Sequence, residues 1–288
     1  MNGPSVVALG GGHGLAATLT AVSHFTNRVT AVVSVADDGG SSGRLRAANE
    51  LPALGDLRKA IVALARDDSP LSRAMAHRFG GGDLDGHSLG NLLIAAITEG
   101  SGDLVGALAE VGRLVGVVGV VLPNALEPVV LCASTIEGTM VEGQVAVMGT
   151  AGVERVWLEP EVTTPPEAIA AIAEADLIVL GPGSLFTSVL ACLAAPAVRD
   201  AVAASSATSV YVANLHTQVP ETAGLNAAAH VDALIHHGIR PDIVLADKHA
   251  FGGSVPTDGV VIADLADDHQ SVHSPDKLAK ALWSLLSP

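Results

Sequence analysis

The stretch from residue 5 to residue 43 constrains the fold more than any other part of the chain. An apolar run stops at the glycine cluster of residues 10–14, and a helical pattern follows over residues 15–25. A β-branched run over residues 29–36 then ends in Asp37, Asp38 and a glycine-serine loop. This order is typical of a buried parallel strand, a tight turn, a helix and a neighbouring strand. Both loops should lie at the carboxyl ends of adjacent strands, where open α/β sheets bind ligands.

The rest of the chain alternates between strand and helix patterns, which predicts an α/β fold. We predict a Rossmann-like, mostly parallel sheet with covering helices, an inserted helical block and an antiparallel β-hairpin. The predicted helices cover residues 15–25, 56–65, 70–79, 87–98, 104–115, 167–175, 197–204, 223–237 and 275–286. The predicted strands cover residues 5–9, 29–36, 117–122, 129–133, 153–158, 177–180, 209–213, 242–246 and 260–263. The hairpin turns at Glu137-Gly138, between arms 130–136 and 139–147.

Length and charge narrow the classes of protein to which the chain can belong. The 288 residues suit one large domain, with a hairpin-containing lobe expected over residues 102–160. A net charge of -15 disfavours nucleic acid and anionic membranes as partners. The sequence shows no leader pattern or spanning apolar run, so we expect a cytoplasmic protein. Cys132 and Cys192 are expected to be buried reduced thiols. Whether the chain forms a homo-oligomer stays open, and the sequence names no protein partner.

The first glycine loop fits a dinucleotide fingerprint. Residues 12–17 match G-x-G-x-x-A, and Asp37 ends the second strand where a ribose-binding acid is expected. An NAD-binding protein is therefore one alternative, and a glycine turn used only for close packing is another. The chain lacks Gly-Lys-Ser or Gly-Lys-Thr after these glycines, which excludes a P-loop kinase or ATPase.

The second loop carries more chemistry than the first. Its small residues, hydroxyls and arginine can bind phosphate, while its two carboxylates can bind ribose hydroxyls or Mg²⁺. An Asp-Gly turn without a ligand is the simpler alternative. The candidate ligand-binding residues of this loop are Asp37, Asp38, Gly39, Gly40, Ser41, Ser42, Gly43 and Arg44.

Further candidates follow later strands or open later helices. Residues 181–188 predict a second anion site, because hydroxyls precede a helix whose first N–H groups are free. Helix caps and surface charges are the alternative roles for several of these residues. We assign no metal to His236, His237 and His249, because adjacent histidines on a helix point in different directions. The candidates are Asp56, Arg58, His87, Asn91, Gly181, Pro182, Gly183, Ser184, Thr187, Ser188, Asn214 and Thr217.

Six ordered motifs together resemble one family. The sequence resembles the YvcK-like proteins, or gluconeogenesis-factor family, within the CofD-like superfamily. The resemblance implies a Rossmann-like core and a cleft for UDP-sugars such as UDP-N-acetylglucosamine. It also implies a role in morphogenesis, cell-wall precursor supply and gluconeogenic growth, without an established reaction. The motifs are Gly10-Gly-Gly-x-Gly-Leu15, residues 35–45, Gly55-Asp-x-Arg58, Gly86-His-Ser-Leu-Gly-Asn91, residues 181–188 and Asn214-x-x-Thr-Gln218.

The same resemblance implies an enzymatic alternative. The CofD-type 2-phospholactate transferases use the double-aspartate region for a metal and a nucleotide diphosphate, so Asp38 and Asp56 could hold Mg²⁺ here. Two departures from the family pattern stand out: His13 replaces the usual threonine, and Pro220 lies in a stretch where glycine is usual. Proline has no N–H, so a backbone contact at that point is lost.

The favoured hypothesis is a nucleotide-sugar-binding regulator rather than an enzyme, because no activated nucleophile is evident. Its diphosphate is expected between residues 11–14, 41–44 and 184–188. Asp37 or Asp38 would contact the sugar or ribose. The first loop contributes the candidate residues Gly11, Gly12, His13, Gly14 and Leu15.

Overall fold

The computed structural model describes residues 3–39, 51–66, 69–250 and 259–286. Two sheets are found within these ranges, and they confirm the α/β class. The large sheet contains β1 (Val6–Gly10), β2 (Val29–Val33), β3 (Val120–Pro123), β7 (Leu177–Leu180), β8 (Thr208–Val212), β9 (Ile243–Asp247) and β10 (Val260–Ala263). The small sheet contains β4 (Val130–Thr135), β5 (Met140–Glu142) and β6 (Val153–Glu159).

The large sheet is parallel throughout and has the order β10-β9-β8-β7-β1-β2-β3. After β1 the chain moves to β2 on one side, whereas after β7 it moves to β8 on the other. The strand order therefore reverses between β1 and β7. In open α/β sheets a crevice forms at such a reversal, outside the carboxyl ends of the strands.

Helices cover the sheet, and short polar side chains start several of them. Ser69, Ser88, Asp103 and Asn226 each accept a hydrogen bond from a backbone N–H in the first turn of the helix that follows. The helices are α1 (Gly12–Ser23), α2 (Gly55–Leu64), α3 (Pro70–Ala76), α4 (Leu89–Ser101), α5 (Leu104–Val115), α6 (Gln144–Met148), α7 (Pro166–Ala173), α8 (Ala191–Leu193), α9 (Pro196–Ala204), α10 (Ala227–His236) and α11 (Pro275–Leu286). A 3₁₀ turn at Gly82–Leu84 and a π-helix at Leu185–Leu190 complete the set.

The core lies on both faces of the large sheet. All five residues of β1 and all four of β7 are buried, as expected for central strands of a parallel sheet covered on both sides. Valine, leucine, isoleucine and alanine supply nearly all of this core, and Tyr211 and Phe186 are its two largest buried side chains. The chain has few aromatic residues, and aliphatic side chains therefore form most of the core.

Within the described ranges, no single helix has both the length and the apolar character needed to cross a membrane. One bent pair, Leu185–Leu193 with Pro196–Ala204, passes that test by length and composition alone, with an angle of 79° between its helices.

The predicted hairpin exists, but its second arm is shorter than expected. Its first arm, β4, pairs antiparallel with β5, and Gly138 N–H donates to the Thr135 carbonyl in the turn. The prediction of a strand over residues 139–147 is wrong, because Gly143 has φ +97° and the helix α6 follows it. Only glycine adopts this φ without strain. On its other side β4 pairs with β6, so the hairpin belongs to a three-stranded sheet.

Several element boundaries also differ from the prediction. Helix α1 begins at Gly12 rather than at residue 15, so the first loop contributes directly to the helix. Helix α10 begins at Ala227 rather than near residue 223, because the Asn226 side chain accepts the Ala229 N–H at 3.0 Å. The predicted loop over residues 181–188 contains the start of the π-helix. The strand predicted over residues 117–122 is β3, displaced toward Pro123.

Candidate functional site

The two glycine turns meet at the point where the strand order reverses. A Cβ atom added to Gly14 would lie 2.1 Å from the Pro182 carbonyl oxygen and 3.0 Å from Gly183 Cα. Only glycine permits this approach of α1 to the turn after β7. A cavity of about 250 Å³, which we call the switch-point cleft, opens beside this junction. Its walls come from the start of α1, the 182–183 turn, residues 214–218 after β8 and residues 271–273.

The switch-point cleft is lined by polar and apolar side chains. Three imidazoles, those of His13, His216 and His273, contribute to its walls. The Asn214 side-chain oxygen Oδ1 accepts the Gly183 N–H at 3.1 Å, and the Asn214 side-chain Nδ2 donates to Gln218 Oε1 at 3.4 Å. No lysine, arginine, aspartate or glutamate belongs to the lining drawn from the described residues. Such a surface suits a polar ligand portion that carries no net charge, such as a base or a sugar.

His273 forms a buried wall of this cleft. Its side chain is about nine-tenths buried, and burial lowers its pKa to about 4. The imidazole is therefore neutral at pH 7. Its Nε2 atom has no hydrogen-bond partner among the described residues. The candidate list omitted His273, His216 and Gln218. The signal for His216 and Gln218 was the motif Asn214-x-x-Thr-Gln218, which contains both, whereas His273 belongs to no motif.

The N-terminus of α1 borders this junction. The Asp56 carboxylate accepts the Gly12 N–H at 2.7 Å and pairs with Lys59 at 2.9 Å. Helix geometry leaves the next N–H groups, those of His13 and Gly14, without a carbonyl partner inside α1. With the positive end of the helix dipole, they favour an anion. Asp56 thus holds the first glycine loop in place, and His13 projects beside it as an exposed side chain.

The predicted second anion site already receives a carboxylate from the chain itself. Glu221 is 2% exposed, and one of its oxygens accepts the N–H groups of Phe186 and Thr187 at 2.8 and 2.9 Å. The Thr187 hydroxyl lies 3.3 Å from both carboxylate oxygens, and Ser184 also hydrogen-bonds to it. Burial raises the pKa of Glu221, although these donors oppose the shift. The N–H groups of Phe186 and Thr187, which we expected to be free, are therefore bonded to the protein. Ser188 is also buried.

The double-aspartate loop organises its own backbone. Asp37 accepts the Gly39 N–H at 2.9 Å, which forms the Asp-Gly turn considered above. Asp38 accepts the Val145 N–H at 3.0 Å at the start of α6, so it joins the small sheet's helix to the end of β2. The remaining predicted residues of this loop lie outside the described residues: Gly40, Ser41, Ser42, Gly43 and Arg44.

The three carboxylates considered for Mg²⁺ have partners within the protein. Asp37, Asp38 and Asp56 each accept a different backbone N–H. Across the described ranges, no three histidine, cysteine, aspartate or glutamate side chains are grouped closely enough to hold a metal. His237 also has a structural role, since its ring accepts the Val156 N–H at 3.0 Å and contacts the Ala233 carbonyl at 2.7 Å.

Arg58 is a buried cation next to Asp56. Its Nε atom has no hydrogen-bond partner among the described residues, and burial and the neighbouring Arg78 charge lower its pKa, whereas Asp56 raises it. Gly90 in α4 makes room for this side chain, because a Cβ there would lie 2.8 Å from Arg58 Cγ and Cδ. The guanidinium therefore lies between α2 and α4 and is not part of the cleft lining.

The helix predicted over residues 87–98 begins later than expected. Ser88 caps α4, so the candidate His87 precedes the helix. The candidate Asn91 lies in the helix and is buried. At the end of β9, the Asp247 carboxylate accepts N–H groups of His249, Leu265 and Ala266. Burial alone would raise its pKa, but these donors lower it overall.

The structure brings some of the predicted residues together and separates others. His13, Gly14, Pro182, Gly183, Asn214 and Thr217 all line the switch-point cleft. Gly11, Gly12 and Gly181 belong to the two glycine turns but do not line the cleft. Leu15 belongs to the hydrophobic core. Arg58, His87, Asn91, Thr187 and Ser188 are not among its lining residues.

These features define an α/β protein with a cleft at the switch point of a parallel sheet. The family model for the 2-phospho-L-lactate transferase CofD matches residues 6–279. The chain is 44% identical over 237 residues to the gluconeogenesis factor of Bacillus subtilis, covering 81% of this chain and 75% of that protein. It is 41% identical over 251 residues to the gluconeogenesis factor of Halalkalibacterium halodurans, covering 85% of this chain and 78% of that protein.

A solved structure supports the same conclusion. The crystal structure of a UPF0052 family member from Bacillus halodurans superposes with a TM-score of 0.91 at 34% identity, covering 98% of this chain and 99% of that one. The chain therefore belongs to the gluconeogenesis-factor family of CofD-like proteins.

Proposed function

We propose that the protein is a cytoplasmic regulator that binds a UDP-sugar, such as UDP-N-acetylglucosamine, in the switch-point cleft. The proposal rests on the difference between the two parts of this site. The cleft lining, as described, contains imidazole, amide and hydroxyl groups beside apolar ones and no lysine, arginine, aspartate or glutamate. The adjoining start of α1 offers N–H groups and a helix dipole. A neutral base or sugar joined to a diphosphate matches that pairing.

The position of the diphosphate follows from the carboxylates. Glu221 occupies the first N–H groups of the π-helix, so a second anion there would face a buried carboxylate. At the start of α1 the Asp56 carboxylate bonds Gly12 N–H but is paired with Lys59 at 2.9 Å. We therefore place the diphosphate at His13 and Gly14, where the helix N–H groups lack intrahelical partners. Asn214 and Thr217, which also line the cleft, would contact the neutral part of the ligand.

A regulatory role requires fewer assumptions than the CofD-like transferase. The latter needs a metal at Asp38 and Asp56, and the described backbone contacts of those carboxylates are to Val145 N–H and Gly12 N–H. Control of cell-wall precursor supply and gluconeogenic growth would then depend on the fraction of protein molecules whose cleft holds the UDP-sugar.

Thermal unfolding with three ligands tests this function. A ligand at about 100 times its dissociation constant adds roughly 2.7 kcal/mol to the free energy of unfolding, or about 5 °C in Tm for a chain of this size. We expect that shift with UDP-N-acetylglucosamine. Stabilisation by NAD alone, or by GDP only when Mg²⁺ is present, would instead favour a dinucleotide-binding protein or a transferase.

A histidine pair on one helix supplies the matched control. His13 lines the cleft at the start of α1, whereas His24 caps the other end of the same helix and lies near Asp276. His13→Ala should reduce the shift produced by UDP-N-acetylglucosamine, while His24→Ala should leave it unchanged. Equal shifts in both variants would show that the ligand does not bind at the start of α1.

A further inference from the structure

A second cavity lies away from the switch-point cleft, between the small sheet and the helices that follow the π-helix. We call it the lobe cavity. Its walls come from β6 at residues 155–158, from Leu193 and Pro196 around the α8–α9 turn, and from residues 236–238 at the end of α10. Its volume is about 540 Å³, within the roughly 300–1,000 Å³ range typical of small-molecule sites. It shares no lining residue with the switch-point cleft.

Two guanidinium groups line the lobe cavity. Arg155 is exposed, and within the described part of the chain its side chain has no hydrogen bond or ion pair. Arg199 contacts Asp200 through Nε and Nη2 at 3.0 and 2.9 Å, which leaves Nη1 for another partner. Burial and the charges of His236, Arg155 and Arg199 lower the pKa of His237, so both guanidinium groups act on this one imidazole.

The lobe cavity presents two guanidinium groups on an acidic protein. The chain has 15 basic and 30 acidic residues, whereas the lining contains two arginines and one carboxylate, Glu161; outside the lining, Asp200 pairs with Arg199. The Arg155 guanidinium, which has no such partner among the described residues, can attract a small anion even when the whole protein repels polyanions. Arginine also presents a planar fork that matches phosphate and carboxylate oxygens.

The remaining walls are apolar and ordered. The Trp157 indole donates to Glu159 at 2.8 Å, which fixes the ring beside the cavity. Leu158, Val162 and Leu193 add aliphatic surface. Because His237 is held between the Val156 N–H and the Ala233 carbonyl, it contributes a fixed, neutral wall. The lining thus combines one cationic side with a flat aromatic and aliphatic side.

We propose that the lobe cavity is a second ligand site, which binds a small organic anion: a compact apolar or aromatic body carrying a terminal phosphate or carboxylate. Arg155 and Arg199 hold the anionic group, and Trp157 contacts the body. The assignment does not depend on the occupant of the switch-point cleft.

Tryptophan fluorescence tests the site directly. The chain has two tryptophans, so Trp283→Phe leaves Trp157 as the sole reporter. We would titrate that variant with phenyl phosphate, benzoate and the neutral benzyl alcohol, and repeat the titrations by calorimetry. Phenyl phosphate or benzoate should change Trp157 emission with saturation, and benzyl alcohol should not. No saturable response to either anion, or equal binding of benzyl alcohol, would overturn the proposal.

Variants that remove one positive charge from the cavity show where the anionic group of the ligand binds. Arg155→Gln and Arg199→Gln should each weaken binding by about tenfold or more, which corresponds to about 1.4 kcal/mol. Arg113→Gln is the matched control, because Arg113 lies in α5 and pairs with Glu110 outside the cavity. Binding that survives both cavity variants, or displacement of the anion by UDP-N-acetylglucosamine, would place the ligand elsewhere and refute the assignment. Circular dichroism of each variant confirms that the fold is intact.

Discussion

The contact between the two glycine turns makes Gly14→Ala the most informative single substitution. The new Cβ would lie 2.1 Å from the Pro182 carbonyl oxygen and 2.6 Å from its carbon, so the two turns must separate by about 1 Å. The obstacle is backbone, which cannot rotate away like a flexible side chain. Overpacking of this kind costs about 1–3 kcal/mol. Alanine returns up to about 1 kcal/mol of helix propensity, which leaves a net loss of about 1 kcal/mol for the middle of that range.

Urea denaturation measures this loss, and a second glycine provides the control. Gly100 lies in α4, and a Cβ added there would meet no neighbouring group within 4 Å, so Gly100→Ala should stabilise the protein by up to about 1 kcal/mol. Gly14→Ala should also weaken binding of UDP-N-acetylglucosamine, since it moves the start of α1. If Gly14→Ala is as stable as the parent while Gly100→Ala gains stability, the turns are not in contact as described.

Two further substitutions test the surroundings of the site. Glu221→Gln removes a carboxyl whose pKa is raised by burial, so the native parent binds this proton more tightly than the unfolded chain. The parent's free energy of unfolding should therefore fall as pH rises from about 4.5, its ordinary value, through the raised pKa, and the variant should lack that fall in urea titrations at successive pH values. Asn124→Ala leaves the Val35 N–H and the Ala191 and Cys192 carbonyls without their buried partner and should cost about 3 kcal/mol in the same assay. A loss below about 1 kcal/mol would contradict that role.

The repeating patterns predicted most of the fold. Buried β-branched runs such as residues 177–180 can form little other than central strands, and the structure confirms them as β7 and its neighbours. The second arm of the hairpin was mispredicted because residues 144–148 are as apolar as a strand. The positive φ of Gly143 and the hydrogen bond from the Val145 N–H to the Asp38 carboxylate favour the helix α6 instead. A contact between residues so far apart in sequence leaves no local pattern.

The sequence predicted only part of the candidate site, because contacts between distant segments leave no local pattern. Gly14 and Pro182 belong to glycine motifs that follow β1 and β7, so their motifs marked them even before the sheet order was known. Glu221 was not assigned a ligand-like role, because only the three-dimensional structure places its carboxylate on the N–H groups of Phe186 and Thr187. His273 reaches the cleft from a segment after β10 that carries no motif.

A crystal structure of the complex with UDP-N-acetylglucosamine tests the central claim most directly. We predict density for the diphosphate within hydrogen-bond distance of the His13 and Gly14 N–H groups, with the neutral part of the ligand beside Asn214 and Thr217. Glu221 should remain on the π-helix. Density for the diphosphate between Arg155 and Arg199, or at the Phe186 and Thr187 N–H groups in place of Glu221, would contradict it.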